Sequence, residues 1–402
     1  MKRYLGLVEP RGAVPALDGV RGIAILMVVL FHAAEPFRTA GAPLLPVFGL
    51  DLSAPLQVGW AGVNLFFVLS GFLITRQLLR HSHDLGSMRG IGQYLAKRWL
   101  RIVPLYLTVL SLAVFELTPG HIVSGENLRL RVGYHLLFLQ DYLPSDILGP
   151  FWSLGVEEKF YLLMPVILLV LLAIKAPRRQ ITLLLGLACV PLFVRVVKEF
   201  GVDGPVSGFD FAMGWRSPFH MNLDALIAGV LAAWLVHRRD DFALLRSGEF
   251  SRTLRRAGGA GFGLVAAITL LAGRPAWFDR VPQEPLLALS MGLWILGVTL
   301  EPHGRQQLLE SRWLARAGRL AYAWYLSHIL IQWWLLDGRV PTGAHAGTAF
   351  LAFFPQFLGF SILAALLLHL AIEKPFLMMK ARIGMPARTP VAGYSQLSSS
   401  PS

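Results

Sequence analysis

A single cysteine, Cys189, among 402 residues excludes an intrachain disulfide and any metal site built on cysteine. It sits in the apolar run Leu183–Val194, where a small packing residue is expected. Charge is also scarce. Asp, Glu, Lys and Arg make up 15% of the chain, against about 25% for an ordinary soluble domain. With 55% hydrophobic residues and a mean hydropathy of +0.56, too few charged groups exist to cover a water-facing surface. There is no HExxH-type spacing and no phosphate-binding glycine loop, so no metal is expected. No small-residue cleavage site follows the first apolar run, which is therefore expected to stay in the mature chain. Repeated halves with helices broken at matched positions, the marks of many secondary transporters, are missing too. No appended soluble domain is expected, and the serine-rich tail Ser395–Ser402 is expected to be disordered.

What is present is apolar sequence in blocks long enough to cross a hydrocarbon core of ~30 Å, which takes roughly 20 residues. Ten such runs are expected: Leu17–Ala34, Leu56–Leu79, Trp99–Thr118, Trp152–Ile174, Ile181–Glu199, Phe219–His237, Ala257–Gly273, Pro285–Glu301, Leu320–Leu336 and Thr348–Ile372. The net charge of +13 is distributed among their connections. No continuous basic face interleaved with aromatics exists, so nucleic-acid binding is not expected. Instead the basic residues alternate. Lys2, Arg3 and Arg11 precede the first run, and only Arg38 follows it. Arg80, Arg89, Lys97 and Arg98 precede the third run, and only Arg129 and Arg131 follow. The pattern continues through Lys175, Arg178 and Arg179, then Arg238 to Arg256, then Arg305, Arg312 and Arg316, and finally Lys374, Lys380, Arg382 and Arg388. Positive charge stays on the cytoplasmic side, so an all-α bundle of about ten transmembrane helices with both termini cytoplasmic is expected. The expected division is a cytoplasmic segment over 1–16, a transmembrane domain over 17–376 and a cytoplasmic tail over 377–402.

Ionisable groups inside such runs are costly and mark functional candidates. In the first run, Arg21 and His32 are eleven residues apart, ~16 Å along a helix and close to one face. Snorkelling of Arg21 and an interfacial His32 would produce the same pattern. Arg98 and Arg101, three apart on one face, suit a polyphosphate or other anionic ligand. Glu157 and Glu158 lie inside the start of the fourth run, at the depth of His32, whereas Lys159 is expected to face water. A histidine beside a carboxylate is the minimal general base, because the carboxylate fixes the tautomer and stabilises the imidazolium. Asn64 is placed to hydrogen-bond His32. His220, Asn222 and Asp224 open the sixth run, His328 lies within the ninth, and Glu373 is placed to pair with Arg98 or Arg21. In the second run, Gly62, Ser70 and Gly71 allow close helix packing.

Four of these segments form a pattern: Leu17-Asp-Gly-Val-Arg21-Gly-Ile-Ala with Leu30-Phe-His32, Gly62-Val-Asn-Leu-Phe-Phe-Val-Leu-Ser-Gly71, Arg98-Trp-Leu-Arg101 and Phe151-Trp-Ser-Leu-Gly-Val-Glu-Glu158. Together they resemble the acyltransferase-3 family of membrane acyltransferases, most densely over Leu17–Pro165. The resemblance implies ten core helices in a bacterial cytoplasmic (inner) membrane. It also implies transfer of an acyl, expected to be acetyl, group from acyl-CoA to a hydroxyl of a polysaccharide, lipopolysaccharide, glycolipid or macrolide. Position by position, it implies His32, Glu157 and Glu158 as catalytic groups and Arg21, Arg98 and Arg101 as donor-phosphate ligands. Asn64, Ser153, His220, His328 and Glu373 are supporting polar groups. No permanently bound cofactor is implied; acyl-CoA is a substrate. Asn64 departs from the family pattern, where aspartate is common, and the hydrolase-like domain of two-domain members is not expected here.

The mechanism expected from the sequence holds the donor's phosphates at the arginines. His32, oriented by Glu157, then deprotonates the acceptor hydroxyl as it attacks the thioester, directly or through an acyl-histidine. The alternatives are a transporter or flippase moving an acyl group or lipid-linked glycan without transfer, and a non-catalytic scaffold that leaves buried His32 and the carboxylates unexplained.

Overall fold

The computed structural model describes residues 15–38, 43–48, 50–120, 123, 127–143, 147–271, 273–301, 306–337 and 345–383. The segment before residue 15 and the serine-rich tail lie outside these, although 377–382 continue the last helix. Among the described residues the chain is mostly helical, with one pair of two-residue strands, Pro46–Val47 and Leu50–Asp51. Ten long helices follow the order of the expected runs. They are α1 Pro15–Arg38, α2 Gly62–Leu79, α3 Met88–Val114, α4 Trp152–Ala173, α5 Pro177–Glu199, α6 Leu223–His237, α7 Gly248–Leu270, α8 Gln283–Leu300, α9 Arg312–Leu336 and α10 Ala346–Leu368. A π turn at His369–Glu373 extends α10 into Lys374–Arg382. Six of these stretches are long and apolar enough to cross a membrane by length and composition alone: Pro15–Arg38, Ala54–Leu79, Pro177–Glu199, Phe219–His237, Gln283–Leu300 and Ala346–Arg382. The other four, α3, α4, α7 and α9, each carry three or more charged residues.

The apolar surface is arranged for lipid. Leu162, Val166 and Val170 of α4, Leu185, Phe193 and Val197 of α5, and Leu363 and Leu367 of α10 are exposed. Lipid tails are as apolar as these side chains, so burial gives little drive for helices to associate, and close packing must supply it. Small residues do this between α1 and α9. A Cβ built on Gly318 would sit 2.0 Å from the Asp18 carbonyl oxygen, and one on Gly22 would sit 2.3 Å from that of Leu314. At the other end of the pair, His32 meets His328. The two helices therefore run parallel. α1 is also the shared wall of two apolar cores: Val20 and Ala24 pack with α2, α6 and α8, while Ile25, Val28 and Val29 pack with α3, α9 and α10.

Candidate active site

Two cavities lie side by side inside the bundle, and Val63 and Tyr325 line both. One has an empty volume of about 840 Å³ and gathers Arg21 of α1, Arg98 and Arg101 of α3, and Arg319 of α9, with Ser70, Ser153 and Glu157 further in. The other, about 790 Å³, holds His32 and Glu35 at the end of α1, with Asn64, Asn222, Arg216 and Glu284 from the starts of other elements. α1 thus presents Arg21 to the first cavity and His32 to the second, as their spacing on one helix face required.

In the first cavity, four arginines face one carboxylate, Glu157. Arg98 is buried, donates to the Gln77 side chain, and lies 5.7 Å from the Tyr94 ring and 5.5 Å from the Tyr161 ring. Its Nε has no partner among the described residues. Arg21 pairs with Asp18 at 3.4 Å, one turn back on the same helix. The terminal segment Lys374–Arg382 packs against α3 beside these groups. Converging guanidiniums in a partly dry cleft form a site for a polyanion, because each presents paired donors to phosphate oxygens.

In the second cavity, His32 Nδ1 is 2.9 Å from the Val28 carbonyl oxygen and 3.3 Å from His328 Nε2. His328 Nδ1 is 3.1 Å from the Trp324 carbonyl oxygen. A carbonyl can only accept, so both Nδ1 atoms carry protons. His328 Nε2 then accepts from His32, and His32 Nε2 keeps its lone pair for the cavity. Gln332 also donates to the His32 carbonyl, holding that turn of α1 against α9. At the junction, the Tyr325 hydroxyl donates to the Pro150 carbonyl at 2.7 Å and meets Ser153 Oγ at 2.6 Å.

Several expected pairings are replaced. Glu157 does not orient His32. It accepts from Ser70 at 2.9 Å and Tyr161 at 2.7 Å, and faces the arginine cavity. The helix register that points Glu157 at α2 turns it away from α1, and His328 takes the position beside His32. Asn64 donates to Glu284, a buried carboxylate on α8, rather than to His32. Glu373 pairs with His369 at 2.6 Å, one turn back along its own π-helical stretch, instead of with Arg98 or Arg21. His220 lies outside both cavities, against the Tyr142 hydroxyl at 2.9 Å. Glu158 is buried and lines neither cavity; its Oε1 has no partner. Lys159 is not simply solvated, because it bonds buried Asp141 at 2.6 Å. Asp224 is buried outside both cavities, and Asn222 lines the second.

Sequence reasoning missed Glu35, Arg319, Arg216, Glu284 and Tyr325. Glu35 had a readable signal, since it sits three residues after His32 and so on the same helix face. Arg319 had the weaker one of an arginine immediately before an apolar run. Arg216 and Glu284 stood at run ends and read as ordinary interfacial charge. Among the described residues no cluster of three or more His, Cys, Asp or Glu side chains could hold a metal.

Comparison with known proteins agrees with the motif pattern. Residues 14–370 match the family model described as "Acyltransferase domain". O-acetyltransferase OatA of Staphylococcus aureus (strain NCTC 8325 / PS 47) is 24% identical over 361 residues, which cover 85% of this chain and 54% of that protein. A protein of Staphylococcus aureus (strain COL), named provisionally as an O-acetyltransferase, is 26% identical over 239 residues, 55% of this chain and 35% of its own length. The chain thus spans between about a third and a half of the curated relatives it matches. No solved structure matches it.

Proposed function

This chain belongs to the acyltransferase-3 family, and on that premise we propose that it is a multi-pass membrane O-acyltransferase that moves an acyl group, acetyl as the leading candidate, from acyl-CoA to a hydroxyl of a carbohydrate-containing acceptor. The observation that carries the reading is the pair of cavities that share the walls Val63 and Tyr325: a polyanion site of four arginines in one and a histidine with a free Nε2 in the other. A coenzyme A thioester has this polarity, with phosphates at one end of a long, thin arm and a reactive carbonyl at the other. Ten spans with both termini cytoplasmic, in a bacterial inner membrane, would put the arginines on the side where acyl-CoA is made.

The residues then act in sequence. Arg21, Arg98, Arg101 and Arg319 hold the donor's phosphates. The pantetheine arm passes Ser70, Glu157 and Tyr322 toward Tyr325. His32 Nε2 takes the acceptor's hydroxyl proton as its oxygen bonds the thioester carbonyl carbon. The tetrahedral adduct collapses by breaking the C–S bond, and His32 returns the proton to the thiolate. His328 keeps His32 in the Nδ1–H tautomer and shares the charge of the transient imidazolium. This replaces the carboxylate role first expected of Glu157.

The test is acetyl transfer by purified protein supplied with labelled acetyl-CoA and a hydroxyl acceptor. His32→Ala is expected to lower kcat by roughly 10²–10⁴-fold. Transfer at the wild-type rate by a folded His32→Ala protein would falsify the proposal. Movement of acetyl groups or glycan across a vesicle without consumption of thioester would favour a carrier instead.

A further inference from the structure

The two cavities differ in electrical character as well as in position. The arginine cavity sets four guanidiniums against one carboxylate. In the His32 cavity the one guanidinium is already spent. Arg216 pairs through Nε with Glu284 at 3.3 Å, and its planar group lies 3.9 Å from the centre of the Trp60 ring. The second carboxylate oxygen of Glu284 accepts from Asn64. That pair is balanced in charge, so the surplus charge in the lining is the carboxylate of Glu35. The lining that remains is Glu35, His32, Asn222 and the aromatic faces of Phe31, Trp60 and Trp152.

The hydrogen-bonding sense of these free groups is one-sided. His32 Nε2 carries a lone pair. The Asn222 amide nitrogen donates to the carbonyls of Arg216 and Pro218, at 2.8 and 2.9 Å, so its oxygen is the atom left over. Glu35 is an exposed carboxylate and can only accept when ionised. Three acceptors therefore line the cavity and suit a ligand that brings donors. An anionic ligand would bring more acceptors, meet Glu35 at close range and find no unpaired cation.

Resting on the acyl-transfer reading above, we infer that the His32 cavity binds an uncharged polyhydroxyl acceptor, a neutral sugar, with its apolar face on Trp60 or Trp152 and with Glu35 accepting from a hydroxyl next to the one acylated. Sugar rings combine apolar C–H faces with radiating hydroxyl donors, which is the complement of this lining. The charge contrast sorts the substrates: the polyanionic donor is drawn to the arginine end and excluded from the His32 end. Glu35 is thereby a positioning residue, acting on the acceptor and not on the thioester.

The experiment uses the full-length protein in lipid nanodiscs and two probes that differ in one carboxylate, octyl β-D-glucopyranoside and octyl β-D-glucuronide. Binding is read without turnover, as protection of His32 from carbethoxylation by diethyl pyrocarbonate, mapped by mass spectrometry. The glucoside is expected to protect at a concentration about tenfold lower than the glucuronide. Glu35→Gln, a conservative change at an exposed position, is expected to raise the glucoside concentration needed by about fivefold and to narrow the gap between the two probes. The double variant Trp60→Ala/Trp152→Ala should abolish protection. Equal or better protection by the glucuronide, no protection by either probe, or an unmoved Glu35→Gln protein each overturns the inference. Parallel assays with labelled acetyl-CoA separate it from the function: protection by glucoside with no thioester-dependent acetylation of any hydroxyl would keep the neutral-sugar site and sink the transferase reading.

Discussion

Gly318→Ala tests the contact that brings the two ends of the site into register. Its Cβ would lie 2.0 Å from the Asp18 carbonyl oxygen, whereas ordinary contact begins at 3.4 Å, a shortfall of 1.4 Å. The obstacle is backbone, and Arg21 Cβ stands 3.1 Å away on the same side, so no side-chain rotation relieves it. α1 and α9 must part. His328 lies ten residues on, ~15 Å along α9, and its 3.3 Å separation from His32 is already long for a hydrogen bond. Even a third of the 1.4 Å displacement would take it out of range. Overpacking of this kind costs about 1–3 kcal/mol of stability, and misplacing a catalytic group by ~1 Å can cost 10²-fold in rate. The expected result is a protein with a lowered Tm and a kcat for acetyl transfer reduced by about 10–100-fold. Gly259→Ala is the control: nothing lies within 4 Å of its Cβ position in α7, so it should be neutral or slightly stabilising. A Gly318→Ala enzyme with unchanged kcat and Tm would refute the claim that close approach of α1 and α9 sets the histidine pair.

Three further outcomes are expected. His328→Ala should lower kcat about 10–100-fold with little change in KM for acetyl-CoA, because it removes the partner of His32 and not a donor contact; steady-state kinetics on both substrates checks the split. Arg319→Ala and Arg101→Ala should raise KM for acetyl-CoA several-fold at low salt, with the difference shrinking as ionic strength rises; a salt series measures it. At the loop after α1, burial pushes the Asp51 carboxyl up, but hydrogen bonds from Ser53 N at 2.9 Å, Ser53 Oγ at 2.8 Å and Leu45 N at 3.0 Å outweigh it and hold the group below its ordinary value. A depressed acid stabilises the folded loop above its unfolded value and loses that contribution as pH falls through the lower folded value. Amide exchange at Leu45 and Ser53 should therefore accelerate below about pH 4, and Asp51→Asn should remove that pH dependence.

Much of the fold was legible because the bilayer leaves few options. Backbone groups in lipid must bond within their own segment, so a long apolar run becomes a helix; a helix stands at each run, and six of these stretches are long and apolar enough to cross a membrane. The first helix also disclosed its own chemistry: Arg21 and His32 share a face by helical spacing, and each lines a cavity. Pairings between helices were another matter. Asn64 and His32, or Glu157 and His32, looked plausible as neighbours at equal depth. Depth is one coordinate, and the rotation of each helix about its axis is a second that hydropathy leaves undetermined. Asn64 instead turned to Glu284, 220 residues away, and Glu157 to Ser70.

By itself the sequence determined a membrane bundle, its helix order, an arginine cluster at the start of odd-numbered helices and one histidine at the far end of the first. Tertiary structure alone decided that His328, 296 residues from His32, would be its partner, that Arg319 would join the arginines and that Arg216 would be neutralised by Glu284. The reason is physical. Helix formation is a local event written in composition and spacing, whereas the rotation of one helix against another depends on close contacts such as Gly318 against Asp18, which exist only after both helices have formed.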